Sequence, residues 1–439
     1  MMRVLDLICK KRDGEILTTE EINLLIDEFN RGNVPDYQMS ALLMTIYFQG
    51  LNTKELTALT AALAHSGDTL DFSFLGTMVA DKHSTGGVGD KITLIMGPLV
   101  AAAGVPLAKI SGRGLGFTGG TIDKLESIPG FKTRLSAEKF MELVKENNIA
   151  IMAQTDKITP AEGKLYALRD VTGTVENLSL IAASIMSKKI AAGAGAIILD
   201  VKLGKGAFIQ DREAAFRLAE TMFRIGKEMG REVISVVTNM NQPLGFAVGN
   251  ILEIKEVLSV LKGEGPADLE QLSTILGGYL LALMGKARNP EEGKEELLRF
   301  IKDGTGLAKF KELIAAQGGD NAYLEDPSLF PTAKFNQELV APRSGYLQEI
   351  HAGKIGRVAA LLGAGRSYKE QQIDPAVGIT LNYKVGELVV EGATLAHVHA
   401  NDEDSLEAAV KELYGAFTIG EEKAEDLPLI YGVVPSFPC

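Results

Sequence analysis

Spacing alone makes the first 67 residues helical, and strands then alternate with helices to about residue 330. Ile22, Leu25, Ile26 and Phe29 recur at helical spacing behind a capping box of Thr18 and Glu21, and Gly32 and Pro35 close that helix. Asp36 is placed to cap a second helix carrying Leu42, Leu43, Ile46 and Tyr47, and Asn52 with Glu55 opens a third that stops at Gly67. No strand pattern interrupts this stretch, which predicts a small domain of three helices.

The pattern then changes. MVADKHS (78–84) and VPLAKIS (105–111) read as short strands running into loops and IAIMAQT (149–155) as a third, and AIILDVKLG (196–204) and VISVVTNM (233–240) are strand-like too. Between 161 and 193 the chain turns helical again, and Ser184 and Lys188, four apart, share one helix face. This order predicts an α/β protein: a mixed, mostly parallel sheet, with residues 161–193 packed back on 1–67 as a discontinuous helical domain across a cleft. The α/β domain is then 70–160 with 194–330. Residues 331–439 form a C-terminal α+β module, because GITLNYKVGELVVEGATLAHVHA alternates apolar and polar residues between glycine turns. Part of it resembles the barrel-sandwich hairpins of lipoyl-type domains, without a lysine at the hairpin tip.

At 439 residues the chain is too long for one ordinary core, and 46% hydrophobic with 23% charged residues describes a globular protein. A net charge of −12 leaves no broad basic field for nucleic acid or an anionic membrane. Cys9 and Cys439 exclude a disulfide framework and fit a reducing cytoplasm. The longest apolar run, 92–108, is broken by Pro98 and Pro106 and falls short of the roughly 20 residues a membrane span needs.

Two stretches carry chemistry that a core does not require: KHSTGGVGDKIT (82–93) and KISGRGLGFTGGTIDKLES (109–127). Glycine lets backbone N–H groups converge on a ligand, while Lys, Ser and Thr add charge and directed donors, a combination suited to phosphate. Neither stretch is a nucleotide P-loop, since Asp90 separates Gly89 from Lys91 and no hydroxyl follows that lysine. The G-x-G-x-x-G at Gly114, Gly116 and Gly119 does not stand directly between a strand and a helix, so it is no dinucleotide fingerprint.

SGRGLGFTGGTIDKLESIPG (111–130) resembles the signature of the thymidine and pyrimidine-nucleoside phosphorylases, and KHSTGGVGDK resembles that family's phosphate loop. The similarity continues through ALRDVTGTV (167–175), SIMSKKIAAG (184–193), DVKLGKGAF (200–208) and NQPLG (241–245), and so spans nearly the whole chain. Phe117 departs from the histidine of most relatives. The resemblance implies phosphate on Lys82, Ser84, Ser111 and Thr121, with His83, Thr93, Lys109 and Ile110 around it. It implies a pyrimidine on Arg169, Ser184 and Lys188 beside Tyr166 and Phe208, with His83, Arg169 and Lys188 stabilising the departing base. It also implies a potassium ion held by the backbone of Gly89, Lys91, Leu244 and Ala247 and the carboxylate of Glu256, and a homodimer formed through the helical domain. Lys109 points to a broad enzyme acting on uridine, thymidine and deoxyuridine, because thymidine-specific relatives tend to carry an apolar residue there.

Read without the resemblance, Glu256 is an ordinary helix-surface acid, and His397 and His399, on one strand face with no third ligand nearby, are structural. A thymidine-specific phosphorylase, an anthranilate-type phosphoribosyltransferase using a diphosphate and magnesium, and a catalytically silent binding protein are the other classes compatible with the chain.

Overall fold

A computed structural model of the chain describes residues 3–114, 119–366 and 371–436. Four helices open it: Val4–Arg12, Thr19–Asn30, Asp36–Gln49 and Thr53–Ala64. The first is one more than the spacing predicts, because it is short and starts at Arg3 without a side-chain cap. Both capping boxes form, Thr18 with Glu21 and Asn52 with Glu55. Asp36 does not cap: Pro35 holds that position and Asp36 lies inside the first turn, where its charge favours the helix N-terminus. Helices Pro160–Thr172 and Leu178–Ala191 pack on these four, and Leu25, Leu42, Leu59, Leu63, Leu165, Leu180 and Ala183 share one buried cluster.

Five parallel strands follow: β1 (Ala80–Ser84), β2 (Leu107–Ser111), β3 (Ile149–Ala153), β4 (Ala196–Leu203) and β5 (Glu232–Asn239). Their spatial order is β5-β4-β1-β2-β3, so the chain turns one way after β1 and the other way after β4. That reversal opens a crevice beyond the carboxyl ends of β1 and β4, where open α/β sheets bind ligands. Every residue of β4 is buried, as a strand covered on both faces should be. Asp200 and Lys202 are therefore anomalous there, and they pair with each other at 2.7 Å.

β6 (Ala247–Val248), β7 (Phe335–Val340), β8 (Gly345–Ile350), β9 (Gly378–Leu381), β10 (Leu388–Val389), β11 (Thr394–Ala400) and β12 (Phe417–Gly420) build two small antiparallel sheets, β6-β9-β11-β7 and β10-β8-β12. Two strands cross the boundary drawn at residue 331. β6 reaches forward into the C-terminal sheet, and β13 (Ile430–Val434) leaves the module to pair antiparallel with β5. The β-branched and aromatic residues of 430–434 favour a strand, but the open edge of β5 selects its sheet. No helix among the described residues is long and apolar enough to cross a membrane.

Candidate active site

β1 delivers Lys82, His83 and Ser84 to the crevice and breaks into a loop in which Gly86 (φ 97°) and Gly89 (φ 71°) take left-handed backbone. A side chain at Gly89 would also meet the Leu244 carbonyl oxygen at 2.5 Å, so only glycine fits. Lys82 is buried, with Nζ 3.4 Å from Asp200 Oδ2 and 3.7 Å from Asp90 Oδ2. Burial would raise Asp90, but Lys82, Lys202, a bond from Ser84 and Lys124 hold its carboxyl far below the usual range. Lys82 thus stands between two carboxylates at the end of β1.

β2 ends beside this loop. Lys109 Nζ donates to the Lys82 carbonyl at 2.7 Å and lies 3.7 Å from Asp81 Oδ1. Ile110 and Ser111 follow at the strand end, and Thr121 is the first residue of helix Thr121–Glu126. Asp123 organises the second glycine loop, accepting the Gly114 N–H at 2.7 Å, Arg113 at 3.1 Å and Arg366 at 2.7 Å. Phe117 lies outside the described residues. Thr93, buried one residue into helix Ile92–Ala102, sits behind the first loop. His83 is half-buried; burial first, then Lys189, Lys109, Lys82 and Lys188, drive its imidazole well below the ordinary range. It is therefore neutral at pH 7 and able to donate one hydrogen bond.

The facing helices supply a second polar cluster. Lys188 Nζ lies 2.6 Å from Glu162 Oε2 and donates to Ser184 Oγ at 3.2 Å, and Ser184 in turn donates to Glu162 Oε1. Tyr166, exposed, has its ring 5.7 Å below the Lys188 ammonium. Arg169 donates to the carbonyls of Thr174, Val175 and Leu180 at 3.2, 2.7 and 3.2 Å. Three of its five N–H groups thus tie its helix to the connection that follows and to the start of helix Leu178–Ala191, leaving two for a ligand. Phe208 stands 67% exposed in the turn after β4. Behind Glu162, Arg169 and Ser184 the helical bundle holds an apolar cavity of about 30 Å³, too small for a nucleoside.

Family models match the chain in three parts: a glycosyl transferase helical bundle domain over residues 5–67, the a/b domain of the same family over 76–307, and a pyrimidine nucleoside phosphorylase C-terminal domain over 346–420. The pyrimidine-nucleoside phosphorylase of Geobacillus stearothermophilus is 51% identical over 430 residues, covering 98% of this chain and 99% of that protein. The chain belongs to the pyrimidine-nucleoside phosphorylase family. The Staphylococcus aureus (strain N315) pyrimidine-nucleoside phosphorylase is likewise 51% identical over 420 residues, 96% of this chain and 97% of that one. Among solved structures, anthranilate phosphoribosyltransferase from Thermus thermophilus has a TM-score of 0.57 at 20% identity, covering 71% of this chain and 98% of its own, and so shares the fold.

One family expectation fails on geometry. The potassium set of Gly89, Lys91, Leu244, Ala247 and Glu256 does not suit a metal ion, because the Lys91 side chain turns into it. Its Nζ donates to the Leu244 carbonyl at 3.1 Å, the Ala247 carbonyl at 3.0 Å and Glu256 Oε2 at 2.5 Å. A potassium ion among the same oxygens would abut a buried ammonium of like charge. His397 and His399 share a face of β11, but His399 Nε2 pairs with Thr380 Oγ1 at 3.2 Å, and no group of three metal-binding side chains occurs among the described residues.

Two residues that join these clusters were not singled out in the sequence. Glu162 shares a helix face with Tyr166 and Arg169 at intervals of four and three, a pattern that could have exposed it. Lys189 Nζ bonds Asp81 Oδ2 at 2.8 Å and the Ile110 carbonyl at 3.1 Å, tying helix Leu178–Ala191 to β1 and β2. Asp81, the acid at which the apolar run 78–80 gives way to the polar end of β1, was its signal.

Lys109 yields a pH prediction. Burial first, then Lys189 and Lys82, push it down to about 7 against the pull of Asp81. An unfolded lysine titrates near ~10.4, so between the two values the unfolded chain binds the extra proton and stability rises with pH. Wild type should gain melting temperature relative to Lys109→Met from pH 7 toward roughly pH 10, with a flat difference below about pH 6. A constant gap across that range would contradict the depressed lysine.

Proposed function

We infer that the chain catalyses reversible phosphorolysis of pyrimidine nucleosides, giving the free base and an α-(deoxy)ribose 1-phosphate. The observation that carries this reading is the facing of two clusters: the cationic crevice around Lys82 and His83, and the Glu162–Ser184–Lys188 group, joined by Lys189. In this reading phosphate is held by Lys82, Ser84, Ser111 and Thr121, with Lys109 and Thr93 behind them, and a phosphate oxygen attacks C1′. The C1′–N bond breaks and its electron pair leaves on the pyrimidine, so negative charge grows on the ring. Arg169 and Lys188 stabilise that charge electrostatically, and neutral His83 donates to a ring carbonyl. Ser184 pairs with the ring N–H, and Phe208 and Tyr166 supply apolar edges. Holding phosphate on the sheet and base on the helices makes closure of the cleft part of catalysis.

A homodimer through the helical domain fits an unpartnered face. Tyr37, Met44 and Phe48 lie seven and four residues apart on helix Asp36–Gln49, and Tyr37 and Phe48 are 74% and 77% exposed. A reducing cytoplasm remains part of the reading, on the strength of two cysteines in 439 residues. The phosphoribosyltransferase alternative is disfavoured, since that structure aligns with only 71% of the chain and the phosphorylase C-terminal model covers 346–420.

The test is base release from uridine and from thymidine, each with and without inorganic phosphate. Phosphate-dependent release from both supports the broad enzyme. Release from thymidine alone makes it thymidine-specific and removes the argument from Lys109. Release from neither, with turnover of phosphoribosyl diphosphate and magnesium, would replace the reading by the transferase.

A further inference from the structure

The end of the phosphate loop is anchored by a device that the reaction itself does not explain. Lys91 follows Gly89 and Asp90, and its side chain is wholly buried, the costliest place for a lysine. An ammonium has three N–H groups, and here three acceptors meet them: the carbonyls of Leu244 and Ala247 and one oxygen of Glu256. The other Glu256 oxygen is also used, accepting the N–H groups of Phe246 at 2.7 Å and Ala247 at 3.1 Å. Glu253 Oε2 stands 3.8 Å from Lys91 Nζ and pairs with Lys124 at 2.8 Å, and Lys124 reaches back to the Asp90 carbonyl at 2.7 Å. Every donor of the ammonium and both oxygens of Glu256 are thereby satisfied inside the protein. The cluster links the loop to residues 244–247 and to helix Asn250–Leu261.

Two carbonyls and a carboxylate around one positive charge form an environment that would hold a monovalent cation. Ammonium and potassium carry the same charge and are close in size, and oxygen cages accept either. We propose that Lys91 is a tethered replacement for a monovalent metal ion, so that this chain organises its phosphate loop without potassium. The tether has a consequence: the cation cannot dissociate, and loop order does not depend on the salt around the protein. An ion that binds only the folded state stabilises it in proportion to its concentration, whereas a covalently attached one contributes the same at every concentration.

The experiment compares wild type, Lys91→Ala and Lys91→Met in choline chloride and in potassium chloride at equal ionic strength, reading thermal melting and phosphorolysis. Wild type should show the same melting temperature and less than a roughly twofold change in turnover in either salt. Lys91→Ala empties the cage: it should melt lower than wild type in choline, and potassium should raise its melting temperature saturably and recover turnover by roughly tenfold. Lys91→Met fills the space without charge, so it should melt lower and gain nothing from potassium. A saturable potassium response of wild type would overturn the proposal, as would Lys91→Ala melting with wild type in choline. Should Lys91→Ala fail to fold, the wild-type titration still decides. The melting arm needs no turnover, so a chain that proves inactive on nucleosides sinks the phosphorolysis reading while this one is still tested.

Discussion

Lys82→Ala is expected to lower phosphate-dependent turnover by roughly 10²- to 10³-fold, the loss typical when one preorganised charge is removed from a developing anionic site. Lys82 is the buried cation at the end of β1, with Asp200 at 3.4 Å and Asp90 at 3.7 Å. The same change disturbs the fold, because removing a buried cation leaves its anions behind. That cost is tempered: Asp200 keeps Lys202 at 2.7 Å and the Thr238 hydroxyl at 2.6 Å, so about 1–3 kcal/mol is expected, as for a partly satisfied buried group. Phosphate saturation kinetics and chemical denaturation separate the two effects. Lys82→Ala with Asp90→Asn, which leaves the Asp200–Lys202 pair intact, should recover part of the stability and none of the turnover. If Lys82→Ala kept turnover within a few-fold of wild type, phosphate would have to bind elsewhere.

The second large effect is structural in origin. Lys189→Ala should cost about 3–5 kcal/mol in denaturation, the range for a buried ion pair losing one partner. Asp81 is fully buried, and its nearest remaining cation, Lys109, stands 3.7 Å away and is itself readily discharged. Since the helix of Lys189 also carries Ser184 and Lys188, the nucleoside KM should rise more than the phosphate KM. Lys189→Met combined with Asp81→Asn, which removes both charges, should return most of the stability while the KM defect persists. A Lys189→Ala protein as stable as wild type would mean that the pair breaks even against solvent.

How much of this was legible follows from the distance over which each interaction acts. The capping boxes at Thr18 and Asn52, the five parallel strands and the two glycine loops depend on residues within a few positions of one another, and their patterns stand in the chain. The lysines, serines and threonines of the crevice were found because they sit inside those loops. Glu162 and Lys189 were missed because the partner that neutralises each lies on another element, Lys188 for one and Asp81 for the other, 108 residues from Lys189. Lys91 was taken for a backbone ligand, since nothing near it in sequence indicates that its ammonium meets Glu256, 165 residues on. The sheet of β13 was undetermined for the same reason: β-branched and aromatic residues favour a strand, and only a free edge specifies its neighbour.

By itself, then, the sequence determined the helical and α/β layers, the family, and the two glycine-rich loops, all of which rest on local pattern. The tertiary structure alone decided which buried charges neutralise one another, and with them whether the cage at Glu256 is met by an ion or by Lys91. Buried charge must be compensated at a few ångströms whatever the separation along the chain, and that compensation exists only once the chain has folded.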